Sequence, residues 1–471
     1  MSYTIQKETA LQRIRRIFLL SLNGEEQDYT SGSIDRAIVL LAIPMILEMA
    51  MESLFAVVDA FFVAKIGVEA VATVGLTESM LTLVYSIAIG LSAAATAMVA
   101  RRIGEGNKDA AAKAGAQVIL IALALSVLIA VPGYFYAEDL LRLMAHDTSV
   151  SSTGFHFTRL LLTANLPILL LWMLNGIFRG AGDAATAMRA LWIANAVNIV
   201  LCPLLIFGWG PIPAMGVIGS GIATTIGRSS GVLYQLWNLF EVGKIVRLRW
   251  NMLKPKWDII GSLLKLASGS TGQYLIASAS WIFMIFILGR IGKEVTAGYT
   301  IAIRIVVFTI LPSWGMANAA ATLVGQNLGA GHPERAEKSA WRAGFFNMIF
   351  MGTVGICYLI FAPSLIRIFT DNVEAIHSGA LALRIIAGGY VFYGWGMVLT
   401  QAINGAGDTR TPTVLNFIFF WMVGMPLAAL LALHLGWGQT GVYWSIFTSE
   451  SCMALAAMWV FRRGKWKTVK V

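Results

Sequence analysis

The chain has 471 residues, 57% of them hydrophobic and only 13% charged, with a formal net charge of +10. Soluble globular domains carry roughly 25% charged residues, so the composition excludes an ordinary soluble fold. The basic excess sits in loops between apolar stretches, which assigns it to membrane topology and anionic lipid and excludes a nucleic-acid partner.

The chain opens with a polar leader, residues 1–33, in which no cleavable signal peptide is visible. Within it, the segment from Ile5 to Leu22 mixes Arg13, Arg15 and Arg16 with Ile14, Ile17, Phe18 and Leu19. Such a segment either lies on the inner membrane surface as an amphipathic helix or stays disordered. Twelve apolar stretches follow, at about 36–63, 71–99, 112–136, 155–178, 186–208, 216–240, 260–289, 295–324, 341–363, 379–403, 411–434 and 440–461. About 20 residues of helix cross a bilayer, and none of the stretches alternates like a barrel strand, so helices are the only spanning choice. The expected fold is an all-α polytopic membrane protein with twelve transmembrane helices. They divide into an N-terminal six-helix lobe (34–240) and a C-terminal six-helix lobe (260–461). A basic inter-lobe loop (241–259) joins the lobes, and a basic tail (462–471) ends the chain.

The two lobes repeat each other at one fixed offset. Gly90, Gly104 and Gly106 return as Gly315, Gly329 and Gly331; Arg159 returns as Arg384, and Gly180-Ala181-Gly182-Asp183 as Gly405-Ala406-Gly407-Asp408. Because each repeat has an even number of spans, both enter the membrane from one side. The lobes are therefore expected to be related by a pseudo-two-fold axis along the membrane normal. Arg101, Arg102, Lys108 and Lys113, then Lys244, Arg247, Arg249, Lys254 and Lys256, then Arg335, Lys338, Arg342 and the tail all mark one side. By the positive-inside rule that side is cytoplasmic and holds both termini.

Residues that do not belong in lipid are the functional candidates. The first span carries Pro44, a hinge candidate, followed by Glu48, Glu52 and Asp59. At 3.6 residues per turn the three acids share one narrow face over roughly 16 Å of axis, so that face lines a bundle interior or a wet cavity. Glu78 on the second span is a further cavity candidate. Asn195 and Asn198, three apart on the fifth span, either bind an ion or join helices. Gln273 on the seventh span and Arg304 on the eighth are weaker cavity candidates. Arg228 and Arg304 are deep enough to need partners, and Glu450 on the last span is one candidate partner. The five histidines (His146, His156, His332, His377 and His434) read as scattered and solvated. Cys202, Cys357 and Cys452 have neither metal-ligand nor disulfide spacing, and no metal site is expected. The duplicated Gly-Ala-Gly-Asp invites comparison with intramembrane aspartyl proteases. Two symmetric copies beside Arg179 and Arg410 instead read as glycine turns with a capping Asp, so no enzyme is expected.

From about Ile34 to Phe461 the chain resembles the multidrug and toxic compound extrusion family of cation-coupled exporters. The resemblance rests on the two six-helix halves and on jointly spaced motifs. These are Pro44 followed by Val58-Asp59-Ala60-Phe61-Phe62-Val63, Gly104-Glu105-Gly106-Asn107 with its echo Gly325 to Gly331, Asn175 to Asp183, and Asn404 to Thr409. It implies that Asp59 is the membrane-embedded coupling acid and that Asn198 belongs to the fifth-span cation site, with Cys202 and Thr224 beside them. The position before Pro203 is often a second Asp in this family; here it is Cys202, which removes an anionic oxygen from a cage of the kind Na⁺ prefers. Glu48, Glu52 or Glu78 would then supply the missing charge.

What the resemblance implies is alternating-access antiport, with H⁺ ahead of Na⁺ as the coupling ion and no cofactor. Substrates would be amphipathic and often cationic small molecules, and the partners membrane lipids. The location would be a prokaryotic plasma (inner) membrane, and the working unit a monomer. A lipid-linked saccharide flippase of the same superfamily is the rival reading, and a protease of the Gly-x-Gly-Asp type a remote one.

Overall fold

The computed structural model describes residues 10–24, 27–144, 148–242 and 245–470. His146 and Lys244 lie outside the described residues. Within them the chain is helical, without a named strand, and twelve spans can be followed in order. The first three are Ile34–Ala64, Val68–Gly104 and Lys108–Met144. The fourth is a pair, Thr148–Thr163 and Leu166–Ala181, and the fifth and sixth are Ala184–Phe207 and Gly216–Trp237. The C-terminal lobe repeats the plan with Trp257–Ile291, Lys293–Gly329 and Pro333–Arg367, the pair Val373–Gly388 and Tyr390–Gly405, then Arg410–His434 and Gly438–Arg462.

Eight spans are single helices long and apolar enough to cross a membrane alone, and the fourth and tenth are bent by 42° and 60°. The sixth and twelfth, rich in Gly, Ser and Thr, complete the set. The chain is thus a multi-pass integral membrane protein. Composition did not foretell the bends. At the fourth-span break Asn165 donates to the carbonyls of Leu162 (2.6 Å) and Ser126 (3.2 Å), with Pro167 opening the next helix. At the tenth the break falls on Gly388-Gly389.

The lobes meet through glycines. A Cβ on Gly90 would lie 2.7 Å from the Thr271 nitrogen, and one on Gly315 would lie 2.6 Å from the Ile46 nitrogen. Towards the basic side, one on Gly329 would lie 2.2 Å from the Arg101 carbonyl oxygen, and Gly104 makes the matching contact with Gln326. Ile46 and Thr271 are separated by the same offset as Gly90 and Gly315, and so are Arg101 and Gln326. Each contact therefore has its own mirror partner, the signature of a two-fold axis between the lobes. Since corresponding spans run in the same direction in both lobes, that axis runs along the membrane normal.

The leader is helical over Ala10–Asn23, and residues 5–9 of its amphipathic segment lie outside the described residues. Ile17 and Leu20 pack on the core around Leu41 and Tyr29, while Phe18 and Leu19 are exposed. Arg189 donates to the Leu22 carbonyl. The link that follows crosses both lobes. Tyr29, buried, donates to the Gly182 carbonyl at 3.3 Å, and Asn327 and Arg335 donate to the Tyr29 and Ser31 carbonyls at 3.4 and 2.7 Å. The inter-lobe loop is docked by buried Gln117, which donates to the carbonyls of Met252 and Lys254 and accepts from the Lys256 amide. The tail is held by a Lys467–Glu337 pair at 2.6 Å.

Candidate functional site

The acidic face of the first span turns into the N-terminal lobe, and there its three carboxylates separate into different environments. Glu48 is fully buried; Asn175 donates to its Oε1 at 2.8 Å and Arg179 reaches the same oxygen at 3.4 Å. Arg179 also donates to Ser92 Oγ at 2.7 Å, and Gln235 donates to Asn175. Glu52 pairs with Arg228 of the sixth span at 3.0 Å. This corrects the expectation that Glu450 partners Arg228: the helix rotation brings the sixth span, not the twelfth, against the first. Arg304 is exposed, lines a cavity with Thr296 and Thr300 on its own span, and makes no ion pair among the described residues.

Asp59 stands apart. It is buried and has no ion-pair partner among the described residues; Ser220 donates to its Oδ1 at 2.7 Å, with Cys202 Sγ at 3.9 Å. Asn198 and Thr224, one helical turn along, bond each other at 3.3 Å, and the Asn198 Oδ1 has no partner among the described residues. Asn195 joins the fifth span to the first by donating to the Met51 carbonyl at 2.9 Å, while its Oδ1 also has no partner among the described residues. Glu78 is exposed and lies within the electrostatic reach of Asp59 in its own lobe and Arg304 in the other.

Ser220, the hydroxyl donor to Asp59, is the member of this candidate site that sequence reading missed. The signal was present: Ser220, Thr224 and Arg228 recur at a spacing of four, so one face of the sixth span answers the acidic face of the first. Pro44 sits inside an unbroken helix, one residue before the Met45-Ile46 backbone that presses on Gly315. A helix weakened by a missing hydrogen bond thus borders the inter-lobe contact.

In the C-terminal lobe, Gln273 and Asn404 exchange hydrogen bonds at 3.0 and 3.1 Å, and Gln273 also donates to the Thr409 carbonyl at 3.1 Å. The Gly-Ala-Gly-Asp segments are helix caps. Asp183 accepts from the amide and hydroxyl of Thr186, and Asp408 from those of Thr411, at 2.5 to 3.2 Å. The preceding Gly182 and Gly407 take φ of 85° and 95°, which a side chain would strain. Among the described residues no three His, Cys, Asp or Glu side chains gather as metal ligands, and the four described histidines are all exposed.

Three comparisons bear on this geometry. The MatE family model matches residues 44–204 and again 270–430, one copy per lobe. The chain is similar to a probable multidrug resistance protein NorM of Thermotoga maritima, 26% identical over 92% of this chain and 93% of the relative. It is similar also to a probable multidrug resistance protein YpnP of Bacillus subtilis, 27% identical over 94% and 98%. Among solved structures it superposes on an outward-facing conformation of a multidrug resistance MATE transporter, with a TM-score of 0.87, 26% identity and coverage of 93% and 98%.

Proposed function

The chain belongs to the MatE family, whose members are transporters and not enzymes, and on that premise we propose that it exports amphipathic, often cationic organic compounds by cation antiport. The coupling ion in this reading is H⁺ in preference to Na⁺, and the acid that carries it is Asp59. The protein works as a monomer in a prokaryotic plasma membrane, with both termini and the basic loops in the cytoplasm.

One observation carries the reading. Glu48 and Glu52 are each paired with an arginine, whereas Asp59 pairs with none among the described residues. The lobe interior therefore holds one net negative charge when Asp59 is ionised and none when it is protonated. Ionised, it favours an organic cation; neutral, it leaves Arg228 balanced by Glu52 alone, and the cation is no longer held. A proton taken up from outside thus trades places with the substrate, and the inter-lobe contact beside Pro44 is where the first helix can repack. One charge crossing 100 mV supplies roughly 2.3 kcal/mol. The donors around Asp59 suit a proton better than a bare cation: a hydroxyl and a thiol lie against it, and among the described residues no second carboxylate is in contact with it.

Efflux from inverted vesicles tests this, with pH and sodium gradients set independently. Asp59→Asn is expected to abolish pH-driven efflux; undiminished efflux would sink the assignment, and dependence on sodium alone would replace H⁺ with Na⁺. A lipid-linked saccharide carrier, which needs a cationic cavity for pyrophosphate, fits an interior of net negative charge poorly. Dye efflux against lipid translocation in proteoliposomes separates the two.

A further inference from the structure

The lobes share a fold but differ in what fills them. In the N-terminal lobe the Glu52–Arg228 pair and its neighbours Glu48, Leu171 and Asn175 leave no room for a water molecule. The C-terminal lobe instead lines nearly all of a partly open cavity of about 410 Å³, with Tyr274, Trp281, Tyr393, Met397, Met453 and Glu450 among its walls and Ile89 contributed by the N-terminal lobe. That volume is in the range of small-molecule sites.

The repeat explains the difference. At the offset that carries Gly90 to Gly315, Glu52 is answered by Ala277, which lines the cavity. In the last span the register slips. That offset would carry Gly216 to Gly441, yet the residue that opens the twelfth span as Gly216 opens the sixth is Gly438, with the same φ of 56°. Gly219 and Gly441 then correspond, and they press respectively on the backbone at Leu205 and Leu431. In this register the counterpart of Arg228 is Glu450. One lobe thus sets an acid against an arginine, and the other sets an alanine against an acid.

Glu450 has no ion-pair partner among the described residues, and Tyr299 and Tyr393 both lie within its electrostatic reach. Tyr393 is only 8% exposed, lines the cavity, and its hydroxyl has no hydrogen-bond partner among the described residues. An unpaired carboxylate beside aromatic faces and methionines has the chemistry of a counter-ion site for a lipophilic cation. We infer that this C-terminal cavity is a substrate site in its own right, taking an organic cation with Glu450 as its counter-ion. The inference rests on the export reading above but names a site in the opposite lobe from Asp59.

Equilibrium binding to the purified full-length protein tests it, with tetraphenylphosphonium as the cation and triphenylphosphine oxide as its uncharged analogue. Glu450→Gln is expected to weaken phosphonium binding by about thirtyfold or more, with the phosphine oxide unchanged and Glu450→Asp retaining most of the affinity. Equal phosphonium affinity in wild type and E450Q, equal weakening of both probes, or no phosphonium binding by the wild type overturns the site. If E450Q does not fold, dicyclohexylcarbodiimide labelling of Glu450 in the wild type, mapped by mass spectrometry, takes its place. Phosphonium then protects Glu450 and the phosphine oxide does not; labelling unaffected by either overturns the site. Gradient-driven efflux in vesicles is read separately. Glu450-dependent binding without such efflux would sink the export reading and leave the cation site standing.

Discussion

A Cβ on Gly104 would stand 2.0 Å from the carbonyl oxygen of Gln326, across the boundary between the lobes on the basic side. Backbone meets backbone there, so neither partner can swing away. Gly104→Ala, like its image Gly329→Ala, is expected to disfavour this closed arrangement by about 1–3 kcal/mol, the usual cost of overpacking. An Ala321→Cys reporter, at a buried position lining the space between the lobes, should then label faster with an impermeant maleimide from the cytoplasmic side. Unchanged labelling at that peptide would argue that the contact is not a closing one.

The repeat answers Glu48 with Gln273 and Arg179 with Asn404. The same two sites thus hold a buried ion pair in one lobe and a reciprocal amide pair in the other. Arg179→Leu strands a fully buried carboxylate and is expected to cost about 3–5 kcal/mol. The double variant Glu48→Gln/Arg179→Asn copies the other lobe and should recover most of that loss. Thermal unfolding in detergent measures both. A double variant no more stable than R179L would show that the two lobes do not share this joint.

Ser220 donates the one direct oxygen-to-oxygen bond seen on Asp59. Hydrogen bonds to a charged group are worth about 1.5–3 kcal/mol, so Ser220→Ala should slow gradient-driven efflux by roughly 10- to 100-fold. Thr225→Ala is the control, since that hydroxyl bonds only the Gly221 carbonyl of its own helix. Equal effects of the two variants would remove Ser220 from the coupling site.

Much of this architecture is legible in the sequence because glycine spacing and span length are local properties. The echo of Gly90 and Gly104 in Gly315 and Gly329 foretells the two-fold axis, and the cap at Asp183 follows from its neighbours alone. Pairing across helices is different, since it depends on how each helix is rotated about its axis. Hence Glu48, Glu52 and Asp59 read as one acidic stripe, although only Asp59 lacks an arginine. Arg179 read as part of a loop motif, yet it turns inward to a buried glutamate. The slipped register of the last span was hidden because it follows a connection of different length, 435–437 against 208–215, and with it the meaning of Glu450.

The link between leader and first span bridges both lobes through Tyr29, whose ring is buried and whose backbone carbonyl accepts from Asn327 and Arg335. Burial raises the phenol well above its ordinary range, so its hydroxyl stays protonated and continues to donate to Gly182 at any physiological pH. Asp28 anchors the neighbouring turn; hydrogen bonds from Ser31 and Thr30 hold its carboxyl below the ordinary value. A lowered acid stabilises the folded turn above its unfolded value and loses that contribution as pH falls through the lowered one. The strap should therefore hold unchanged from neutral to mildly acidic pH and loosen only in strong acid. Tyr29→Ala removes the buried ring and is expected to cost about 3–5 kcal/mol, whereas Tyr29→Phe forfeits a single long hydrogen bond and should cost about 1 kcal/mol or less. Hydrogen exchange over residues 27–33 reads both effects. Protection in Y29A equal to wild type would mean that the backbone contacts of Arg335 hold the strap without the ring.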